Sequence, residues 1–169
     1  MYHSEVIAQL KKNKGVFENH LKGATQIQYT WKPAFEKWSL KEILCHLIDE
    51  EVEDFRARVK HVLETPDDPM APIDPVGWVT SRKYAEADYG ERFNTFLKER
   101  QKSIDWLESL ENPQWTNVFH HSILGELSAQ QFLCNWLAHD YLHLRQIGNL
   151  KFLYLKNLSN EDLTYAGNW

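Results

Sequence analysis

The chain has 169 residues, a length that suits one domain spanning 1–169 with a full-sized core. Its formal net charge of −5 and pI near 5.9, with no basic stripe, argue against nucleic acid as a partner. The start, MYHSEVIAQLKKNKG, lacks an apolar signal region, no apolar stretch is long enough to span a bilayer, and Cys45 and Cys134 are isolated. A cytoplasmic protein, away from membranes, is the expectation.

Pro33, Pro66, Pro69, Pro72, Pro75 and Pro113 all lie between periodic segments, so the elements separate cleanly. The first, about Ser4 to Leu21, has Val6, Ile7, Leu10, Phe17 and Leu21 at helical spacing and stops near Gly23. The second, about Leu40 to Glu64, carries Ile43, Leu44, Leu47, Ile48, Phe55, Val59 and Val62, and Thr65-Pro66 ends it. Its start reads as a capping box, Ser39 with Glu42, flanked by a Trp38–Ile43 staple. A long acidic stretch, ETPDDPMAPIDPVGWVT from Glu64 to Thr80, follows and is expected to be a crossover rather than a lid. The third helix is expected from about Ser81 to Leu110, with Phe93, Phe96, Leu97, Ile104 and Leu107 on one side. The fourth, about Ala129 to Leu155, opens on a second capping box, Ser128 with Gln131, and a Leu127–Phe132 staple. No strand-like alternation of useful length is evident. The pattern predicts an all-α, four-helix bundle with a long crossover between helices two and three.

The fourth helix carries the chemistry. His139 and His143 leave the same face, about 6 Å apart along the axis, together with Phe132, Trp136, Ile147 and Leu150. Two imidazoles aimed into a core are costly unless satisfied, and a metal satisfies them; a structural core pair is the alternative. Two side chains hold a metal weakly, so a third ligand is expected among the other histidines. His46 lies off the main apolar stripe of helix two, beside Ile43 and Glu50, and periodicity alone does not select it. Glu50 reads first as a solvated or supporting carboxylate, with general base as its functional alternative. Asp49 and Asp140 read as surface or capping charges, Cys45 and Cys134 as small core residues, and His120 and His121 as loop residues. Gln146 could support a histidine ligand through a hydrogen bond, or be an interior polar group bonded to backbone. Tyr165 and Trp169 are expected to dock on the body or on a second subunit.

W-S-x-x-E-x-x-x-H-L over Trp38 to Leu47, and H-x-x-x-H followed by Q-I over His139 to Ile147, resemble the DinB-like superfamily. FHHSILGELSAQQF before the last helix, PIDPVGW in the crossover and the closing LTYAGNW are similar to that family as well. The resemblance implies a four-helix bundle that binds a divalent metal, usually zinc or nickel, through His46, His139 and His143, and often a homodimer. It implies one of two activities: S-transfer with a low-molecular-weight thiol such as bacillithiol, mycothiol or glutathione, or metal-dependent hydrolysis. The family's His-Pro before the last helix reads His121-Ser122 here, so that turn is expected to differ.

Three neutral imidazoles suit Zn, Ni, Cu or Fe(II) and leave coordination positions open, the mark of a catalytic site. Such an ion could bind a thiol and lower its pKa, or bind water and deliver hydroxide to a polarised carbonyl with Glu50 as base. Thiol transfer is the leading expectation and hydrolysis the alternative. A metal-binding stress-response bundle without turnover is the third.

Overall fold

The computed structural model describes residues 2–167; Trp169 lies outside them. Four long rods make the bundle: helix α1 (Tyr2–Leu21), the rod Leu40–Glu64, helix α6 (Tyr89–Ser109) and helix α7 (Ala129–Ser159). A short helix α2 (Gln26–Thr30), not expected from the sequence, bridges the first two. The rod Leu40–Glu64 keeps its expected bounds but is not uniform. Helix α3 (Leu40–Asp49) passes through a π-helical stretch (Glu50–Phe55) into helix α4 (Arg56–Glu64) with right-handed helical backbone at both joins. A π turn is rare, widens the helix locally and often accompanies function.

The expected third helix starts later than Ser81. Pro75–Ser81 forms its own helix α5, with Asp74 accepting from the Gly77 amide and Pro75 in the first turn, which suits its fixed φ. Lys83, at φ 52, breaks the direction, and Asp88 then caps α6 by accepting from the Glu91 amide. The crossover is therefore partly helical. The absence of strands is also corrected. Strands β1 (Val118–His121) and β2 (Gly125–Ser128) pair antiparallel in a hairpin, His121 opposite Gly125. Its turn relies on Gly125 at φ 76 and on His121 Nδ1, which accepts from the Ile123 and Leu124 amides at 3.1 Å each.

α1 packs on α6 and α7, α3 on α6, and α4 on α7. The core has two clusters. One joins Phe17, Ile43, Leu44, Leu47, Phe96 and Ile147; the other joins Leu10, Phe55, Val59, Leu107, Leu133 and Trp136. Each such side chain contributes about 1.5–3 kcal/mol by leaving water. Tyr165 is fully exposed rather than docked on the body, because the chain leaves α7 through Asn160 at φ 55 and a short turn at Thr164–Ala166 points the ring outward. No helix among the described residues is long and apolar enough to cross a membrane.

Candidate metal centre

The seam where α3 and the π stretch face α7 lies between the two core clusters. Two capping boxes fix its walls. Ser39 Oγ accepts from the Glu42 amide while Glu42 Oε2 accepts from the Ser39 amide, which sets the start of α3. Ser128 and Gln131 do the same for α7. Trp38, the staple residue, packs its ring 4.8 Å from that of His46. Phe55, at the end of the π stretch, lies 4.9 Å from His139.

Within this apolar frame the three histidines meet. His139 Nε2 is 3.3 Å from His46 Nε2 and 3.0 Å from His143 Nε2, and each ring offers a ligand atom within 4.8 Å of the others. His46 and His143 are buried, and His139 is partly open, with 18% of its side chain exposed. Burial, reinforced by the neighbouring imidazoles, pushes His46 down to about 3 and His139 to about 2; burial also lowers His143. All three are neutral near pH 7. His143 Nδ1–H donates to Gln146 Oε1 at 2.7 Å, so its Nε2 carries the free lone pair that faces the cluster. Of the two readings of Gln146, the structure has the side-chain contact to a histidine.

The donor set suits a divalent cation. His139 Nε2 can hold at most one proton, so its approaches to His46 Nε2 and His143 Nε2 cannot both be satisfied as hydrogen bonds, whereas a cation can be ligated by all three nitrogens at once. The polar pairing around them is also incomplete. His46 Nδ1 and Glu50 Oε1 lie 4.0 Å apart, both buried and without a hydrogen-bond partner among the described residues.

Of the two plain readings of Glu50, solvated or supporting, its burial excludes the first. Glu50 is 4% exposed, with Oε2 3.9 Å from His139 Nε2. Burial and the adjacent Asp54, which shares a hydrogen bond with it, push its pKa well above the usual carboxylate range. Asp140 departs further from expectation, since it is fully buried rather than a surface charge. Arg100 of α6, itself buried, grips it bidentately at 2.7 Å through both terminal nitrogens, and Arg100 Nε donates to Glu51 at 2.9 Å. Asn13 of α1 also donates to Asp140, at 3.0 Å, and Trp136 Nε1 to Glu51, at 3.1 Å. The two acids that Arg100 holds each follow a site residue in sequence: Glu51 follows Glu50, and Asp140 follows His139. Arg100, Glu51 and Asn13 were not anticipated. A signal existed, because Arg100 falls on the apolar stripe of α6 between Phe96 and Ile104.

The other histidines lie elsewhere. His3 stacks on Trp115, His61 packs edge-on against Phe119, His120 Nδ1 sits 3.6 Å from Glu126, and His121 closes the hairpin turn. His120 and His121 are therefore strand rather than loop residues. Cys45 is buried, its thiol pushed up to about 11 by burial, and Cys134 is half-buried. Asp49 accepts from Tyr84 at 2.5 Å and pairs with Arg82 at 2.9 Å.

A helical bundle with a buried cluster of three neutral imidazoles defines a protein with a candidate divalent-metal centre. Residues 9–147 match the family model of the DinB superfamily, and the chain belongs to that superfamily. Among solved structures it is similar to YfiT from Bacillus subtilis, described as a probable metal-dependent hydrolase with an unusual four-helix bundle topology. The TM-score is 0.76 at 17% identity, over 88% of this chain and 85% of that one. At that identity the likeness shows the fold. No curated protein matches the chain in sequence.

Proposed function

We propose that His46, His139 and His143 hold a divalent metal, zinc or nickel, and that the protein is a cytoplasmic enzyme transferring a low-molecular-weight thiol to an electrophilic small molecule. The observation that carries this reading is the convergence of three neutral Nε2 donors at a point bordered by open space. Cavities lie against His139 and against His143, so two of the three rings border space a substrate can reach. A metal held there would supply Lewis acidity and lower the pKa of a bound thiol.

The chain's own residues do the rest. Gln146 fixes the His143 tautomer, while Trp38 and Phe55 keep water from the inner face of the rings. In this reading Glu50, buried beside His46 and His139, takes the thiol proton. The sulfur then forms a bond to the electrophilic carbon as the bond to the leaving group breaks, and the leaving group departs with that proton. With its pKa raised well above the usual carboxylate range by burial and by Asp54, Glu50 holds a proton once it has taken it and can return it to the leaving group.

The same position of Glu50 favours a second reading, hydrolysis, with Glu50 drawing a proton from attacking water. One experiment separates the two. The metal-loaded protein is incubated with an activated alkyl halide and with an ester, each with and without a small thiol, and products are read by mass spectrometry. A thioether formed only when thiol and protein are both present supports transfer. Ester cleavage without thiol, and no thioether, would overturn it in favour of hydrolysis.

A further inference from the structure

The cavity against His139 has a chemical character of its own. It holds about 340 Å³ between the π stretch, the hairpin and α7. Its wall includes Leu124, Leu127, Phe132, Ala138 and Leu142, and its ionisable groups are Asp54 and His139. The staple that starts α7 builds part of this wall, because Leu127 and Phe132 both face it. Leu124 and Leu142 stand 66% and 55% exposed, so apolar surface remains in water at the approach to the most open histidine of the triad.

The charge on that wall decides what fits. Asp54 lies beside buried Glu50 and is paired with Arg58, whose guanidinium sits over the Phe132 ring outside the cavity lining, so the wall offers an entering anion no lysine or arginine that is free to bind it. The cavity against His143 is different: Arg145, Gln146 and Asn149 line it, with Leu142 shared between the two. Polar and anionic groups are served on that side, and neutral apolar ones on the hairpin side.

We infer that the hairpin-side cavity is the subsite for an uncharged alkyl or aryl group on the substrate, seated against Leu127, Phe132 and Leu142 while the reacting atom lies at the three histidines. This rests on reading the triad as a divalent-metal centre. It adds the substrate class: a neutral electrophile or acyl compound with a compact hydrocarbon body, rather than a sugar, a nucleotide or a dicarboxylate. The hairpin then has a task, since its turn carries Leu124 to the rim.

The test loads the protein with Co(II) and titrates straight-chain hydroxamic acids of increasing length, acetyl to octanoyl, following the cobalt absorption bands. The hydroxamate head reports the metal, and the tail reports the cavity. Each added methylene should tighten Kd about fourfold until the space is filled. Ala138→Phe projects a ring into the cavity from an exposed position on α7, so the bundle should fold normally. Its Co(II) content and its affinity for acetohydroxamate should match the native protein, while the gain with chain length disappears. The double variant Leu124→Ser with Leu142→Ser should reduce the gain per methylene without moving the cobalt spectrum. A series without length dependence in the native protein, or one unchanged in Ala138→Phe, would overturn the subsite and leave the metal centre standing. Native protein that takes up no Co(II) would overturn the functional reading, and the subsite with it.

Discussion

Neutrality of the histidines is the residue-scale property on which the site depends, and it has a cost that can be measured. Burial holds the three imidazoles below the ordinary value of about 6.5. As pH falls below about 6.5 the unfolded chain takes up protons that the native triad refuses, so metal-free protein loses stability from there downward. The slope is up to about 1.4 kcal/mol per pH unit for each histidine. Glu50 acts in the opposite sense, because a raised carboxyl stabilises the fold at low pH and loses that contribution as pH rises above its unfolded value of about 4.3. Glu51 and Asp54, raised chiefly by burial, act in the same sense as Glu50, so the histidine contribution is read from the difference between native protein and a variant. Between pH 7.5 and 4 the urea midpoint of metal-free native protein should shift downward relative to that of a His46→Gln, His139→Gln variant; parallel pH profiles would contradict the assignment. Arg100 makes a second prediction. Arg100→Met leaves Asp140 and Glu51 buried without their cation, and urea unfolding should show a loss of about 3–5 kcal/mol. At this scale the sequence was legible only in part. His139 and His143 declare themselves by spacing, whereas His46 lies off its helix's apolar stripe and needed the family motif. Asp140 reads as a surface charge because its partner sits 40 residues away on another helix, a pairing no local pattern encodes.

Among elements, the well-marked ones are those with caps. Ser39 and Ser128 each start a helix at the residue expected, because a side chain that satisfies an orphan amide is a strictly local signal. Ser39→Ala should cost about 1 kcal/mol by urea unfolding. It should also lower the affinity for metal, since the frayed turn carries Trp38, which packs on His46. Unchanged affinity, measured by chelator competition, would show that the cap acts on stability alone. The elements that escaped notice are those whose geometry is not periodic. The hairpin strands have four residues each, too few to show alternation, and α5 lay inside a proline-rich stretch although Asp74-Pro75 is itself a helix start. The π stretch gave no sign because its residues, EEVEDF, satisfy an α pattern equally well. It matters here, since it carries Glu50, Glu51 and Asp54 on the wall that faces α7.

For the whole molecule, the bundle brings residues 93 positions apart, His46 and His139, into contact while an arginine–carboxylate network behind them joins α1, the π stretch, α6 and α7. Four-helix architecture was legible because amphipathic stripes and prolines define the rods; the depth of the polar network was not, because it depends on how the rods are rotated against one another. The fold thus supplies a dry, braced seam with three convergent nitrogens and an open side. The decisive experiment is to determine the metal content of the native protein and of His46→Ala and His139→Ala, each purified without a histidine tag. About one divalent ion per chain should be found in the native protein and lost in both variants while helicity is retained. Full occupancy in either variant, or native protein that holds no metal even after reconstitution, would refute the three-histidine centre.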